Sequence, residues 1–173
     1  MRLIHYSDKH LEAVHSVSQG EGRAFQRGDK PNGLWVSVHG EDDWKSWCEG
    51  EGFALDSLTH PTEVVLRDDA KILRVQGPDE LKAFNDEYKD TVKTRQRQLE
   101  AIDWSRVAHR YDGIIIAPYV WSLRLDIDFF WYYDWDCASG VIWNSAAVSN
   151  LIPLPVEPLP SAVALELPSE AQP

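Results

Sequence analysis

A chain of 173 residues has room for one ordinary domain and too little for two. With 43% hydrophobic and 26% charged residues it has the balance of a globular protein, and its net charge of −11 argues against a nucleic-acid backbone as partner. No apolar run approaches the roughly 18 residues of a membrane span, and the start, Met1 to Ser7, is apolar for too few positions to be a signal peptide. Two cysteines, Cys48 and Cys137, make neither a disulfide framework nor a zinc ligand set, so the cytoplasm is the expected address. The charge is uneven. Residues 1–38 carry five basic and four acidic side chains, residues 39–90 six and fourteen, and the remainder six and ten. The N-terminal segment is therefore the most accommodating place for an anionic ligand.

Residues 1–7 alternate as a first strand, with Leu3, His5 and Ser7 on one face and Arg2, Ile4 and Tyr6 on the other. A short helical turn is expected around residues 11–17, inside a long polar loop rich in glycine that runs to Gly33. Residues 33–38 read as a second strand. Acids at 41–43 then open a helix whose apolar face is Trp44, Trp47 and Cys48, and Gly50 and Gly52 end it. Strands are expected at 63–67 and 71–75 with a turn at Asp68-Asp69. Pro78 opens a helix with Leu81, Phe84 and Tyr88 inward, and the charged run 89–100 reads as a solvated helical face. A short helix follows at 102–111, then buried strands at 113–117 and 140–144. From Pro153 onward prolines break any ladder, which predicts one domain over 1–151 and an extended Pro-rich tail over 152–173. Short strands and helices in no βαβ rhythm define an α+β fold with a split, mixed or antiparallel sheet and flanking helices. Without GxGxxG or a Walker loop, Rossmann and P-loop chemistry are not expected.

Three pieces of this sequence share an order with the ADP-ribosyltransferases of the His-Tyr-Glu group. His5-Tyr6-Ser7 resembles the "His-x-Thr/Ser" that closes that family's first strand. Gly33-Leu34-Trp35-Val36-Ser37 is similar to its "Gly-x-aromatic-x-Ser/Thr" strand. Tyr111-Asp112-Gly113-Ile114-Ile115 and Ser139-Gly140-Val141-Ile142-Trp143-Asn144 resemble its "Tyr-Asp-Gly" and "Glu-x-Val-Val-Phe-Asp" strands. The likeness spans residues 1–151 and implies an NAD-consuming enzyme of glycosyltransferase type that modifies a macromolecule. By the same resemblance the chain is a phage or bacterial effector acting on an acceptor, a protein being the expected kind.

The chemistry explains why such residues are needed. Cleaving the nicotinamide–ribose bond of NAD passes through an oxocarbenium-like state, which calls for a grip on the substrate, a clamp on the nicotinamide ring and a negative charge near the developing cation. The resemblance assigns His5, Tyr6 and Ser7 to the substrate grip, Trp35 to the ring clamp and Ser37 to the second-motif hydroxyl. Arg23, Arg27 and Lys30, in the loop between the motifs, are placed to meet the pyrophosphate. A His packed on a strand neighbour, a core Trp and a solvated loop are the plain alternatives for these positions.

The departure falls at the acid. Ser139 stands where the family has Glu, and the carboxylate is left to Asp136, three residues earlier, or Asp134, two before that; Asp136 is nearer the strand and flanked by Trp135 and Cys137. A Cys137 nucleophile has no local signature behind it. His5, His10 and His15, five apart, line up on neither a helix face nor a strand face as metal ligands. The competing reading is a catalytically inactive chain of the same fold whose acidic surface occupies a basic partner.

Overall fold

The computed structural model describes residues 1–20, 30–40, 42–93 and 98–156, with the backbone alone at 91–93 and 98–100. The first strand, β1 (Leu3–His5), pairs antiparallel with β2 (Leu34–Val38), setting Ile4 opposite Ser37. Helix α1 (Trp44–Glu51) follows. Asp43 caps it by accepting from the Ser46 N–H at 2.8 Å, and Gly52 closes it in a left-handed conformation with φ 62°, which glycine adopts without a Cβ clash. Strand β3 (Thr62–Leu66) lies antiparallel on the other side of β1, while β4 (Ile72–Val75) goes to the far end of the sheet.

Helix α2 (Pro78–Tyr88) starts on its proline and buries Leu81, Phe84 and Tyr88, as the 3.6-residue period predicts. A hairpin of β5 (Lys89–Lys93) and β6 (Gln98–Ile102) leads to α3 (Trp104–Ala108), then to the buried β7 (Gly113–Ile116) and β8 (Ser139–Ile142). Between those two, residues 121–123 and 127–132 form 3-10 turns. β9 (Val148–Pro153) completes a seven-stranded sheet in the order β4-β7-β8-β2-β1-β3-β9. The class is α+β and the sheet mostly antiparallel. Only β4 and β7 run parallel, and the crossover through α2, the hairpin and α3 supplies the length that a parallel pair requires.

The pleat sorts the core into two layers. Ile114, Ile116 and Val141 face Leu81, Phe84, Trp104, Trp131 and Trp135, whereas Leu3, Val36, Val64, Ile115, Ile142 and Ala147 form a smaller cluster on the opposite face. Three expectations are corrected. Seven of the nine described strands make one continuous sheet where a split one was expected, and β5 and β6 pair apart from it. The strands expected at 63–67 and 71–75 form as β3 and β4 about the turn at Asp68-Asp69, but they do not pair with each other: Arg67 N–H donates to Ala147 O at 2.8 Å, and Lys71 and Asp112 exchange bonds that tie β4 to β7. Where a solvated helical face was expected over 89–100, residues 89–93 and 98–102 instead pair as antiparallel strands, the second of which carries the buried Ala101 and Ile102 into the core. Residues 11–17 have no helical turn; Val17 N–H instead donates to Trp143 O at 2.8 Å.

Pro153 also behaves differently from the sequence expectation. It sits in β9 opposite Thr62, and Leu154 N–H donates to Pro61 O at 2.9 Å. A proline ends a ladder only where its missing N–H is needed, and an edge strand such as β9 tolerates it. Among the described residues no helix is long and apolar enough to cross a membrane.

Candidate functional site

The centre of the sheet opens on a cavity of about 450 Å³. His5 and Tyr6 reach it from the end of β1, Trp35 and Ser37 from β2, Trp44 from α1, and Asp134, Asp136 and Ser139 from the turn that enters β8. Segments separated by a hundred residues and more thus meet because β2 lies between β1 and β8. Ser37, paired with Ile4 on one side and with Ser139 on the other, is the point at which the three strands are joined.

Each side chain is held by a definable contact. The Trp35 ring stands edge-on to Trp135 with centroids 4.9 Å apart, and the Lys30 ammonium lies over Trp35 at 5.1 Å from its centroid. Ser37 Oγ accepts from the Trp44 N–H at 2.8 Å, which fastens the start of α1 to β2 and brings Trp44 to the cavity wall. Trp44 stacks on Trp47 at 5.0 Å. Close to Lys30 in sequence, Asn32 is fixed by Gln19, whose amide donates to Asn32 O at 2.6 Å and accepts from Asn32 N–H at 2.9 Å.

His5 lies 2.8 Å from the Trp35 carbonyl through Nδ1. A carbonyl only accepts, so Nδ1 carries the proton and Nε2 is the acceptor of the neutral ring. The register assigns His5 to the face of Leu3 and Val36, opposite Trp35 and Ser37. His5 and Trp35 therefore leave the sheet on opposite faces. They line the same cavity from the two sides of the pleat, and the bond to the Trp35 carbonyl links them.

Asp136 is half-buried and pairs with Arg124 at 3.3 Å. Burial pushes its carboxyl above the ordinary range and Asp134 adds to that, while Lys30 and Arg124 pull it back. The Arg124 guanidinium is itself held between rings, 5.8 Å from the Trp121 centroid and 5.5 Å from that of Tyr133. Among the described residues, Arg124 Nε, Tyr119 Oη and Trp135 Nε1 are buried without a hydrogen-bond partner. Such atoms concentrate where a ligand or water completes a polar network. Burial raises the Cys137 thiol to about 12 and the Cys48 thiol to about 11, which keeps both protonated and poor as nucleophiles.

The two serines are placed differently. Ser7 does not reach the cavity: β1 ends at His5, and the Ser7 hydroxyl donates to Lys9 O in a local turn. Ser139 does line the cavity, but its hydroxyl donates to Cys137 O at 3.0 Å, so it is occupied in shaping the turn. Arg23 and Arg27 lie outside the described residues. Arg124 was not singled out from sequence, although it is the sole basic side chain between residues 119 and 138, a stretch with four aspartates. That isolation was the available signal. Among the described residues no three His, Cys, Asp or Glu side chains gather as a metal site. Comparison of the chain with protein-family models, with curated proteins and with solved structures finds no significant match.

Arg124→Met is expected to raise the pH at which Asp136 ionises, read from its carboxyl signal in an NMR titration. Removing one of the two cations that hold the Asp136 carboxyl down strengthens the net effect of burial, so ionisation requires a higher pH. A titration that stays in place would show that Arg124 does not act on Asp136.

Proposed function

We propose that this chain is an NAD-dependent ADP-ribosyltransferase. One observation carries the reading: His5, Tyr6, Trp35, Ser37 and Ser139, from sequence pieces that share an order with that family, line a single cavity together with Asp134 and Asp136. In this reading His5 Nε2 accepts a ribose hydroxyl, and the Trp35 and Trp44 rings flank the nicotinamide. Lys30, over Trp35, supplies positive charge beside the pyrophosphate. The C–N bond between ribose and nicotinamide breaks with its electron pair leaving on nicotinamide. The positive charge that develops on the ribose is met by ionised Asp136, whose half-buried setting strengthens its field. An acceptor nucleophile then bonds to the ribose carbon and gives up its proton.

The second reading, an inactive acidic binder, is favoured by one feature, the Ser139 hydroxyl spent on Cys137 O where the family has its Glu. Calorimetry with NAD and an assay of nicotinamide release in cell lysate separate the two. The enzyme reading expects NAD binding, nicotinamide release, and weaker NAD binding in His5→Ala by about tenfold, the effect of one lost hydrogen bond of about 1–1.5 kcal/mol. A wild-type chain that neither binds NAD nor releases nicotinamide leaves the binder as the account.

A further inference from the structure

The segment that leads into Asp134 and Asp136 buries some members of an aromatic-rich run and exposes others. Leu123, Phe129, Trp131 and Tyr132 are inside, whereas Trp121, Leu125, Ile127, Phe130 and Tyr133 stand in solvent, Leu125 at 83% and Ile127 at 76% exposure. The Phe130 and Tyr133 rings run parallel with centroids 6.5 Å apart, and Trp121 meets Tyr119 edge-on at 4.8 Å. A soluble domain gains nothing for its own stability from five large apolar side chains left in water within so short a stretch. Contiguous exposure of this kind marks a surface that is covered by something else.

The charges beside the ridge say what covers it. Asp126 and Asp128 lie within it and Asp134 directly follows it. Trp121 Nε1 donates to Asp42 Oδ1 at 3.3 Å, and a cavity of about 220 Å³ at that contact is walled by Trp47 and Trp121 with Asp42, Asp43, Glu51 and Asp136. Arg124, the sole base of residues 119–138, is engaged by Asp136 and by the rings of Trp121 and Tyr133. An apolar ridge with an acidic border is complementary to a surface that presents apolar side chains among lysines and arginines. It disfavours an anionic membrane, and a second copy would set two acidic borders against each other.

We propose that the exposed face of residues 121–133 is the docking surface for a protein partner with a basic, apolar-studded surface. The surface continues into the carboxylates of the cavity, so under the ADP-ribosyltransferase reading, on which this role rests, the docked partner is the acceptor and the ridge selects it.

The test uses the full chain without NAD and three short fluorescent peptides of alternating Lys/Leu, Lys/Ser and Glu/Leu. The Lys/Leu peptide is expected to bind about tenfold or more tightly than either of the others, and to lose that advantage in Ile127→Gln/Phe130→Gln. These side chains are exposed, so the variant should fold; Leu125→Ser, at the most exposed position, gives an independent second variant. Equal binding of the three peptides, or unchanged Lys/Leu binding in both variants, overturns the proposal. So does a wild-type dimer by sedimentation that the substitutions dissolve, or binding to phosphatidylcholine vesicles that they abolish. Because NAD is absent from the titration, failure of the ridge is distinguishable from failure of the enzyme reading, which nicotinamide release decides.

Discussion

Under the proposed ADP-ribosyltransferase reading, Asp136→Asn is expected to lower nicotinamide release by about 10²- to 10³-fold while leaving NAD affinity in place, the cost of removing one well-positioned electrostatic partner of the transition state. The asymmetry follows from timing: the positive charge exists on the ribose only as the bond breaks, so the carboxylate contributes little to the ground-state complex. Asp136 is suited to this by its half-buried position and by its pairing with Arg124. The same burial penalises the charged form, so the native state holds a proton on Asp136 more tightly than the unfolded chain does. That stability is present at low pH and is lost as pH rises through the raised native value, and at neutral pH the ionised group is a burden on the fold. Asp136→Asn should therefore not lower the melting temperature at neutral pH, and a scan on the inactive variant checks that the loss is not unfolding. Asp134→Asn, on the same cavity wall, and Ser139→Ala, whose hydroxyl is spent on Cys137 O, are expected to stay within a few-fold of wild type. A silent Asp136→Asn beside a damaging Asp134→Asn would move the charge to the other carboxylate.

Trp131→Ala is expected to be the most destabilising single substitution in the larger core layer. Trp131 is 1% exposed and its ring lies against Phe84, Trp104, Tyr132 and Trp135, with centroids between 5.5 and 6.4 Å. Its indole N–H donates to Asn85 Oδ1 at 2.8 Å, and Asn85 is itself buried. Truncation removes the apolar body, leaves a cavity that the four surrounding rings cannot fill, and strips a buried amide of its partner. The first two effects cost about 3–5 kcal/mol and the third about 1–3 kcal/mol. Against the total of about 5–15 kcal/mol typical of a domain, this lowers the melting temperature by about 10 °C or more, measured by calorimetry or circular dichroism. Trp131→Phe, which keeps an edge-on aromatic ring but loses the N–H and part of the indole body, should fall less. A small shift for Trp131→Ala would mean that the layer repacks.

Local pattern determined much of this protein before any tertiary contact is considered. The apolar period of Leu81, Phe84 and Tyr88 after Pro78 marks α2, and the run of isoleucines after Gly113 marks β7, because a helix face and a doubly buried strand each write their geometry into consecutive residues. His5, Tyr6, Lys30, Trp35, Ser37, Asp134, Asp136 and Ser139, each singled out in the sequence, line one cavity. Strand pairing was not readable in the sequence. Whether residues 71–75 turn back on 63–67 or cross to β7 depends on strands far away in sequence, and the Asp68-Asp69 turn is compatible with both. The same holds for residues 89–102, whose charges suit a solvated helix until the sheet's helical layer offers Ala101 and Ile102 a core to enter. Register also decided that His5 leaves the sheet on the opposite face from Trp35, since a pleat alternates with every residue and a motif does not record its phase relative to a neighbour. Arg124 belongs to Asp136, and the ridge of Trp121, Leu125, Ile127, Phe130 and Tyr133 lies outside the core, for a related reason. In a segment rich in aromatics from end to end, only packing against α2 and α3 divides the residues that are covered from those left in water.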